Sequence, residues 1–285
     1  MRERTGFTLL HLSLLLAVTA LVLMAVLPGG NKTGDEARAR ETLQRIKAIE
    51  EVSKGFMAAR KRRPCPASGT FASGDPHFGI EAANPGSCIG GTPASDFAAA
   101  GVVAGVVPVR TLGLPDNYAF DGWGRRIEYV VDQRATGMAA CAAAGFTSGG
   151  IVIKSTVGGK MQGQAMALYI SHGKKGHGAF PANGSSVQGR VNSGSTDPDI
   201  LANASVDAAF APSFTPIFIK KERDAYFDDV VWAPEYTPNT CCLGANCYGT
   251  GSSATSGTSS TSSSTSGGAA SSSSGSSTAS STSGI

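Results

Sequence analysis

Two histidines in a glycine-rich stretch are the residues of this sequence best placed to do chemistry. His172 and His177 lie in Ser-His-Gly-Lys-Lys-Gly-His-Gly, positions 171–178, where imidazoles can ligate a metal and glycine amides can cradle a phosphate. The stretch has neither a GxxxxGK[ST] motif nor a carboxylate spaced to complete a metal site. We therefore expect a solvent-exposed loop. No GxSxG nucleophile elbow occurs in the chain, and the sequence predicts that the protein is not an enzyme.

Six cysteines are the other chemically active side chains: Cys65, Cys88, Cys141, Cys241, Cys242 and Cys247. They form no paired CxxC zinc motif, and an even number in an exported body favours disulfides. A Cys65–Cys88 bond, which would close a Gly- and Pro-rich loop, is the first expected pair. Adjacent cysteines seldom bond each other, so one of the last three is expected to reach Cys141. The other pairing stays open, and free thiols are the alternative if the body faces the cytoplasm.

The net charge argues against nucleic-acid binding, and the composition divides the chain into a globular part and a tail. The formal net charge is +3, which gives no footprint for nucleic acid. The basic run at 60–63 is expected to be the solvated end of a helix. Residues 249–285 are almost entirely Ser, Thr, Gly and Ala, so they cannot offset the entropy of ordering, and we predict a disordered tail. Residues 61–248 remain for one globular domain.

An uncharged apolar segment at the N-terminus determines on which side of a membrane the rest of the chain is expected to lie. Phe7 to Leu27 has 21 residues without a formal charge, which at about 1.5 Å per residue matches a hydrocarbon core of roughly 30 Å. Arg2 and Arg4 precede it, so the positive-inside rule predicts a cytoplasmic N-terminus and an external body. A cleaved signal peptide is the alternative, with Val18-Thr19-Ala20 as its cleavage site.

The remaining pattern predicts an α+β fold, with one long helix packed on an antiparallel sheet. Residues 35–60 form the amphipathic half of that helix, because Leu43, Ile46, Ile49, Val52 and Phe56 recur at spacings of three and four. Pro64 and the Gly-rich residues after it predict a loop up to 105. Strands are expected at 125–132, 151–156, 166–171, 216–220 and 229–233, without helices between them.

The segment Gly6-Phe7-Thr8-Leu9-Leu10 resembles the cleavage motif of type IV prepilins and type II secretion pseudopilins. The resemblance implies that a prepilin peptidase cuts between Gly6 and Phe7, that Phe7 is then methylated, and that the apolar helix is kept. Pro28 matches a proline that breaks this helix in the family. His11 departs from the glutamate usual at the fifth mature position, which indicates either a minor or tip subunit or simple sequence drift.

The body also resembles the major pseudopilin of type II secretion in three pieces. These are Asp121 to Tyr129, Tyr169 to Gly178 and Asp228 to Trp232. In that family a loop before the final acidic residues binds calcium, and the resemblance implies a candidate calcium site. Its ligands would be Asp224, Asp228 and Asp229. Lys174 and Lys175 in the preceding loop oppose a dication, so we expect no cofactor.

These expectations combine into a pilin-like subunit of a type II secretion or type IV pilus filament. Its segments are a leader at 1–6, a transmembrane and filament-core helix at 7–28, the amphipathic helix at 35–60, a periplasmic globular domain at 61–248 and the tail at 249–285. The resemblance implies as partners other pilin subunits, a prepilin peptidase, and an inner-membrane platform with its ATPase. The alternatives are a tip subunit that recognises a secreted substrate, a surface or DNA, and a membrane-anchored periplasmic protein of other function.

Overall fold

The computed structural model describes the backbone of residues 9–26, 30–137 and 149–234, and the side chains of 11–20, 34–137 and 149–234. Helix α1 spans Leu9–Val26 and helix α2 spans Gly30–Arg60. Gly6, Phe7, Pro28, the tail and the last four cysteines lie outside the described residues. The described residues all belong to one compact unit.

The prediction of one long N-terminal helix with a transmembrane half is wrong. The structure has α1 and α2 as two helices rather than one, and none of the described helices is long and apolar enough to cross a membrane. Helix α2 carries charged residues along its length. The prediction of a single-pass inner-membrane protein is wrong for the same reason.

Helix α2 packs one face on the body. Ile46, Ile49 and Met57 are buried, and Val52 and Phe56 pack partly buried beside them. The amide of Lys61 donates to the Met57 carbonyl, and Lys61 itself has a positive φ of 57° that ends the helix.

A five-stranded antiparallel sheet lies under α2, in the spatial order β1-β2-β3-β6-β8. Its strands are β1 Phe97–Ala99, β2 Val102–Val106, β3 Glu128–Asp132, β6 Ala167–Ser171 and β8 Val230–Trp232. The register places Gly105, Tyr129, Tyr169 and Trp232 in one row across the sheet. The two tyrosine rings stack with centroids 5.1 Å apart.

A second sheet corrects the expectation of purely antiparallel pairing. It has three strands in the order β5-β4-β7: β5 Met161–Ala165, β4 Ile151–Lys154 and β7 Ile217–Ile219. β4 pairs with β7 in parallel, because a long connection that includes β6 and the short helix α3, Pro198–Ala204, brings β7 back in the same direction.

The two sheets pack face to face, so the domain has three layers. One core cluster joins α2 to the first sheet, and a second joins the opposite face of that sheet to Ile151, Ile153 and Phe218 of the second sheet. All five residues of β3 and all five of β6 are buried. These strands are therefore covered on both faces, unlike the half-exposed strands of a two-layer fold.

Candidate functional site

The glycine-rich segment 171–178, here called the glycine loop, brings together polar side chains from several elements. It follows β6 directly and turns at Gly173 and Gly178, which have φ values of 58° and 87°. A Cβ at Gly173 would overlap the carbonyl oxygen of Asp228, and one at Gly178 would overlap Ala204 of α3. Only glycine fits these contacts, so the loop lies tightly against the body.

Both histidines of the loop are buried, contrary to the expected solvent exposure. His172 is 1% exposed and His177 is 2% exposed. Nε2 of His172 lies 3.0 Å from Oε2 of Glu128 on β3. Burial by itself would lower the pKa of His172, but the hydrogen bond to Glu128 and the charges of Asp229 and Glu128 outweigh it and raise the pKa. The pKa of His177 is lowered, by burial and then by His172 and Arg190.

A buried aspartate joins the glycine loop to the turn at 121–125. Ser171 Oγ donates to Oδ2 of Asp121 at 2.6 Å, and the amides of Trp123 and Arg125 donate to the other carboxylate oxygen at 2.9 Å each. Burial raises the pKa of Asp121, against the opposing effect of these hydrogen bonds. Arg125 in turn donates to the Gly173 carbonyl. The Asp-Gly-Trp-Gly turn is therefore a support for the loop.

Two lysines of the loop tie it to distant parts of the chain. Lys174 Nζ lies 2.8 Å from Oδ2 of Asp35 in the first turns of α2. Lys175 Nζ donates to the carbonyls of Ala225 and Tyr226 at 3.1 and 2.8 Å. A further ion pair, Arg223 with Glu36, also binds the start of α2. The loop and the 223–229 segment together hold this end of the helix.

The three aspartates of the calcium candidate serve separate structural roles. Asp224 accepts from the amides of Tyr226 and Phe227, Asp228 accepts from the amide of Lys175, and Asp229 accepts from the Asn203 side chain. Within the described residues no group of three or more His, Cys, Asp or Glu side chains is arranged to hold a metal. Because the Lys175 ammonium binds the neighbouring carbonyls, the arrangement does not fit a calcium ion.

The basic run at 60–63 is only partly solvated, contrary to expectation. Arg63 is 5% exposed and donates two hydrogen bonds to the buried carboxylate of Glu50, at 2.9 and 3.1 Å. Arg62 makes the same two-pronged contact with Glu81, at 2.7 and 2.8 Å. The run thus joins α2 to the loop that follows it.

Three other residues that the sequence singles out lie within the described chain: Cys65, Cys88 and His11. Cys65 and Cys88 form a disulfide with Cα atoms 5.5 Å apart, and both residues are fully buried. His11 lies on α1, where the side chains of residues 11–20 are all exposed.

An open cleft of about 430 Å³ lies between α2 and the 117–124 turn. Arg45 and Glu41, which line it, contact each other, and Arg45 Nη1 also donates to the Phe120 carbonyl at 2.7 Å. The charged groups of the cleft are therefore already engaged within the chain.

Sequence reasoning missed the buried partners of these groups: Glu50, Glu128, Arg190 and Asn203. One signal was available for Glu128, which interrupts the apolar run between Ile127 and Tyr129. A carboxylate inside a strand pattern indicates a buried polar contact, but not its partner.

Comparisons with known proteins identify no relative: no protein-family model, no curated protein and no solved structure matches this chain. The resemblance to prepilins therefore remains a prediction from the sequence.

Proposed function

We propose that this chain is a structural subunit of a filament of the type IV pilus or type II secretion kind. The observation that carries the proposal is the exposure of α1. All ten of its described side chains are exposed, and Leu12, Leu14, Leu15, Leu16 and Val18 are each more than half exposed. An apolar helix open on every side gains free energy when other molecules cover it. Neighbouring copies of α1 are the proposed cover.

The sequence ahead of α1 supports the same function. The Gly6-Phe7 pair stands two residues before the start of α1, where a prepilin peptidase would remove the leader and leave the helix at the new N-terminus. The peptidase, an assembly platform and its ATPase are then the proposed partners, besides other copies.

The attachment of α2 to the body supports a role in bearing load. Ile46, Ile49 and the Glu50–Arg63 pair fix the middle and end of α2, and Asp35 and Glu36 fix its first turns. A helix held at both ends can transmit force from its N-terminal side to the globular domain.

The buried polar groups favour a structural role over catalysis. His172 and Glu128 are only 1% and 2% exposed, so a substrate cannot reach them in this conformation. Their contacts join the glycine loop to β3, which is a structural task.

The experiment is to produce the full chain together with a prepilin peptidase and a type IV pilus assembly platform. Mass spectrometry of the N-terminus is expected to find methylated Phe7 as the first residue, and electron microscopy to find filaments. A chain that still begins with Met1 after this treatment would rule out the proposed processing.

The variant Leu16→Glu tests the contact itself. It places a charge on the exposed apolar helix, and we expect it to stop filament formation. Val157→Glu is the matched control, because Val157 is a similarly exposed apolar residue of the globular body. Filaments of Leu16→Glu equal in number to those of the control would show that α1 is not the assembly surface.

A tip position in the filament is a second candidate, favoured by His11. An imidazole stands where the family usually has a carboxylate to meet the terminal amine of the next subunit. Immunogold labelling along the length or only at one end separates the two positions.

A further inference from the structure

A buried histidine–carboxylate pair joins the glycine loop to the central sheet. The imidazole of His172 and the carboxylate of Glu128 are 3.0 Å apart, and both are almost fully enclosed. Each has one further polar atom, Nδ1 of His172 and Oε1 of Glu128, with no hydrogen-bond partner among the described residues. Since the core cannot replace the hydration of either group, their mutual contact must supply most of the compensation.

The charges that face His172 come from four parts of the chain. Glu128 faces it from β3, Asp229 from the residue before β8, Arg190 from the end of a short 3₁₀ turn, and His177 from the glycine loop itself. Asp96 interacts electrostatically with Glu128 and Arg190, and it accepts hydrogen bonds from Ser68 and Gly69.

Glu128 meets a full opposite charge at hydrogen-bond distance only when His172 is protonated. With a neutral imidazole, Arg190 is the cation that remains to offset Glu128, and its charge is shared with Asp96. Burial raises the pKa of Asp229 to about 7, so this carboxyl group gains a negative charge over the same pH range in which the imidazole loses its positive one. Excess charge in a site this enclosed is costly, because water cannot screen it.

Movement of His172 would reach the rest of the glycine loop. The His172 carbonyl accepts from the amide of Gly176 at 2.8 Å, and the next residue back, Lys175, donates its amide to Asp228 at 2.6 Å. Lys174 carries the connection to Asp35 on α2.

We propose that the His172–Glu128 pair is a proton-operated latch, closed when the imidazole is charged, that loosens the glycine loop from the sheet when the proton leaves. The direction follows from the raised pKa of His172. Stability from a group with a raised folded pKa is fully present below the unfolded value of about 6.5, and is lost as the pH rises through the folded value. This inference concerns regulation within the globular domain and does not depend on filament assembly.

The first test uses the unaltered full chain. NMR titration should show His172 still protonated above pH 6.5. Hydrogen exchange of the Lys175 and Gly176 amides, corrected for the intrinsic effect of pH, should become severalfold faster between pH 5 and pH 8. The β3 amides of Val130 and Val131 serve as the reference and should change far less. A His172 that is neutral at pH 5.5, or loop amides that follow the reference, would refute the latch.

The second test uses His172→Gln, which keeps a hydrogen-bond donor towards Glu128 but cannot take up a charge. We expect its loop exchange to lose the pH dependence and to resemble unaltered protein at pH 8. His77→Gln is the control, because His77 is 40% exposed and pairs with Asp75 at the surface. A control that loses the pH dependence equally would contradict the assignment to His172.

Glu128→Gln provides an independent test in case His172→Gln does not fold. It removes the charge that holds the proton, so the pKa of His172 should fall and the loop should exchange fast at pH 5 as well. An unchanged titration of His172 in Glu128→Gln would overturn the proposal independently of His172→Gln.

Discussion

Arg63 and Glu50 show how a single ion pair joins two elements. Both side chains are almost fully buried, and the hydroxyl of Tyr169 donates to the same carboxylate at 2.8 Å. Desolvation alone would lower the pKa of Arg63, but the Glu50 charge reverses the effect and raises it. Burial of an ion pair is nearly neutral for stability when both partners are present, but the loss of one partner is costly.

We expect Arg63→Ala to destabilise the protein by about 3–5 kcal/mol, because the Glu50 carboxylate would be left buried and unpaired. Urea unfolding followed by circular dichroism measures the change. Arg60→Ala is the matched control at an exposed position three residues earlier, and should change stability by no more than about 0.5 kcal/mol. Equal losses in the two variants would contradict the structural role of Arg63.

At the scale of elements, the loop after α2 is integrated into the first sheet. Ala67 exchanges backbone hydrogen bonds with Val106 of β2, at 2.8 and 2.9 Å. A Cβ at Gly105 would overlap the Ala67 carbonyl oxygen. The loop that contains the Cys65–Cys88 disulfide therefore packs directly against the sheet at Gly105, which has no side chain.

Gly105→Ala tests this close approach. The added methyl group must push the 66–67 segment away from β2, and we expect a loss of about 1–3 kcal/mol in unfolding free energy, typical of overpacking. Gly163→Ala in β5 is the control, because no atom lies within 4 Å of the Cβ it would add. If Gly105→Ala is as stable as the control in urea unfolding, the segment does not cross the sheet as described.

At the scale of the whole molecule, the ionisable groups fall into two sets with opposite effects of pH. Burial raises the pKa of Asp96 to about 6 and that of Asp229 to about 7. In the other set, a hydrogen bond to Arg110 lowers the pKa of Asp116, and bonds to Lys221, Val157 and Thr156 overcome burial to lower the pKa of Asp199. The first set stabilises the fold at acidic pH and the second at higher pH.

We therefore expect maximal stability near pH 4. Carboxyl groups with raised pKa values contribute fully below about 3.8 and lose their contribution as the pH rises towards 6–7, whereas groups with lowered pKa values lose theirs below about 3.8. Urea midpoints should fall from pH 4 to pH 8 and also from pH 4 to pH 2.

Asp96→Asn isolates one contributor to this profile. The neutral amide should reduce the fall between pH 5 and pH 8, whereas Asp207→Asn, at an exposed position, should leave it unchanged. A midpoint that rises from pH 5 to pH 8 in the unaltered protein would contradict the burial of these carboxylates.

Local patterns alone predicted many of the elements. The spacing of Ile46 and Ile49 located α2, and apolar runs located β3, β4, β6, β7 and β8 to within a few residues. Local sequence was sufficient to locate these elements, because the periodicities of helices and strands involve residues only two to four positions apart. The short strands β1, β2 and β5 were missed, since Gly- and Ala-rich segments form strands only when a neighbouring strand supplies the hydrogen bonds.

Tertiary structure decided the layers, the parallel β4–β7 pair and the environment of the charged residues. The same basic run could have been solvated, and the same glycine-rich segment exposed. Arg63 and His172 are buried because each pairs with a distant carboxylate. Glu50 lies 13 residues from Arg63 along the chain, and Glu128 lies 44 residues from His172. A charge can leave water only where a distant partner meets it, and the sequence alone does not show which partner that is.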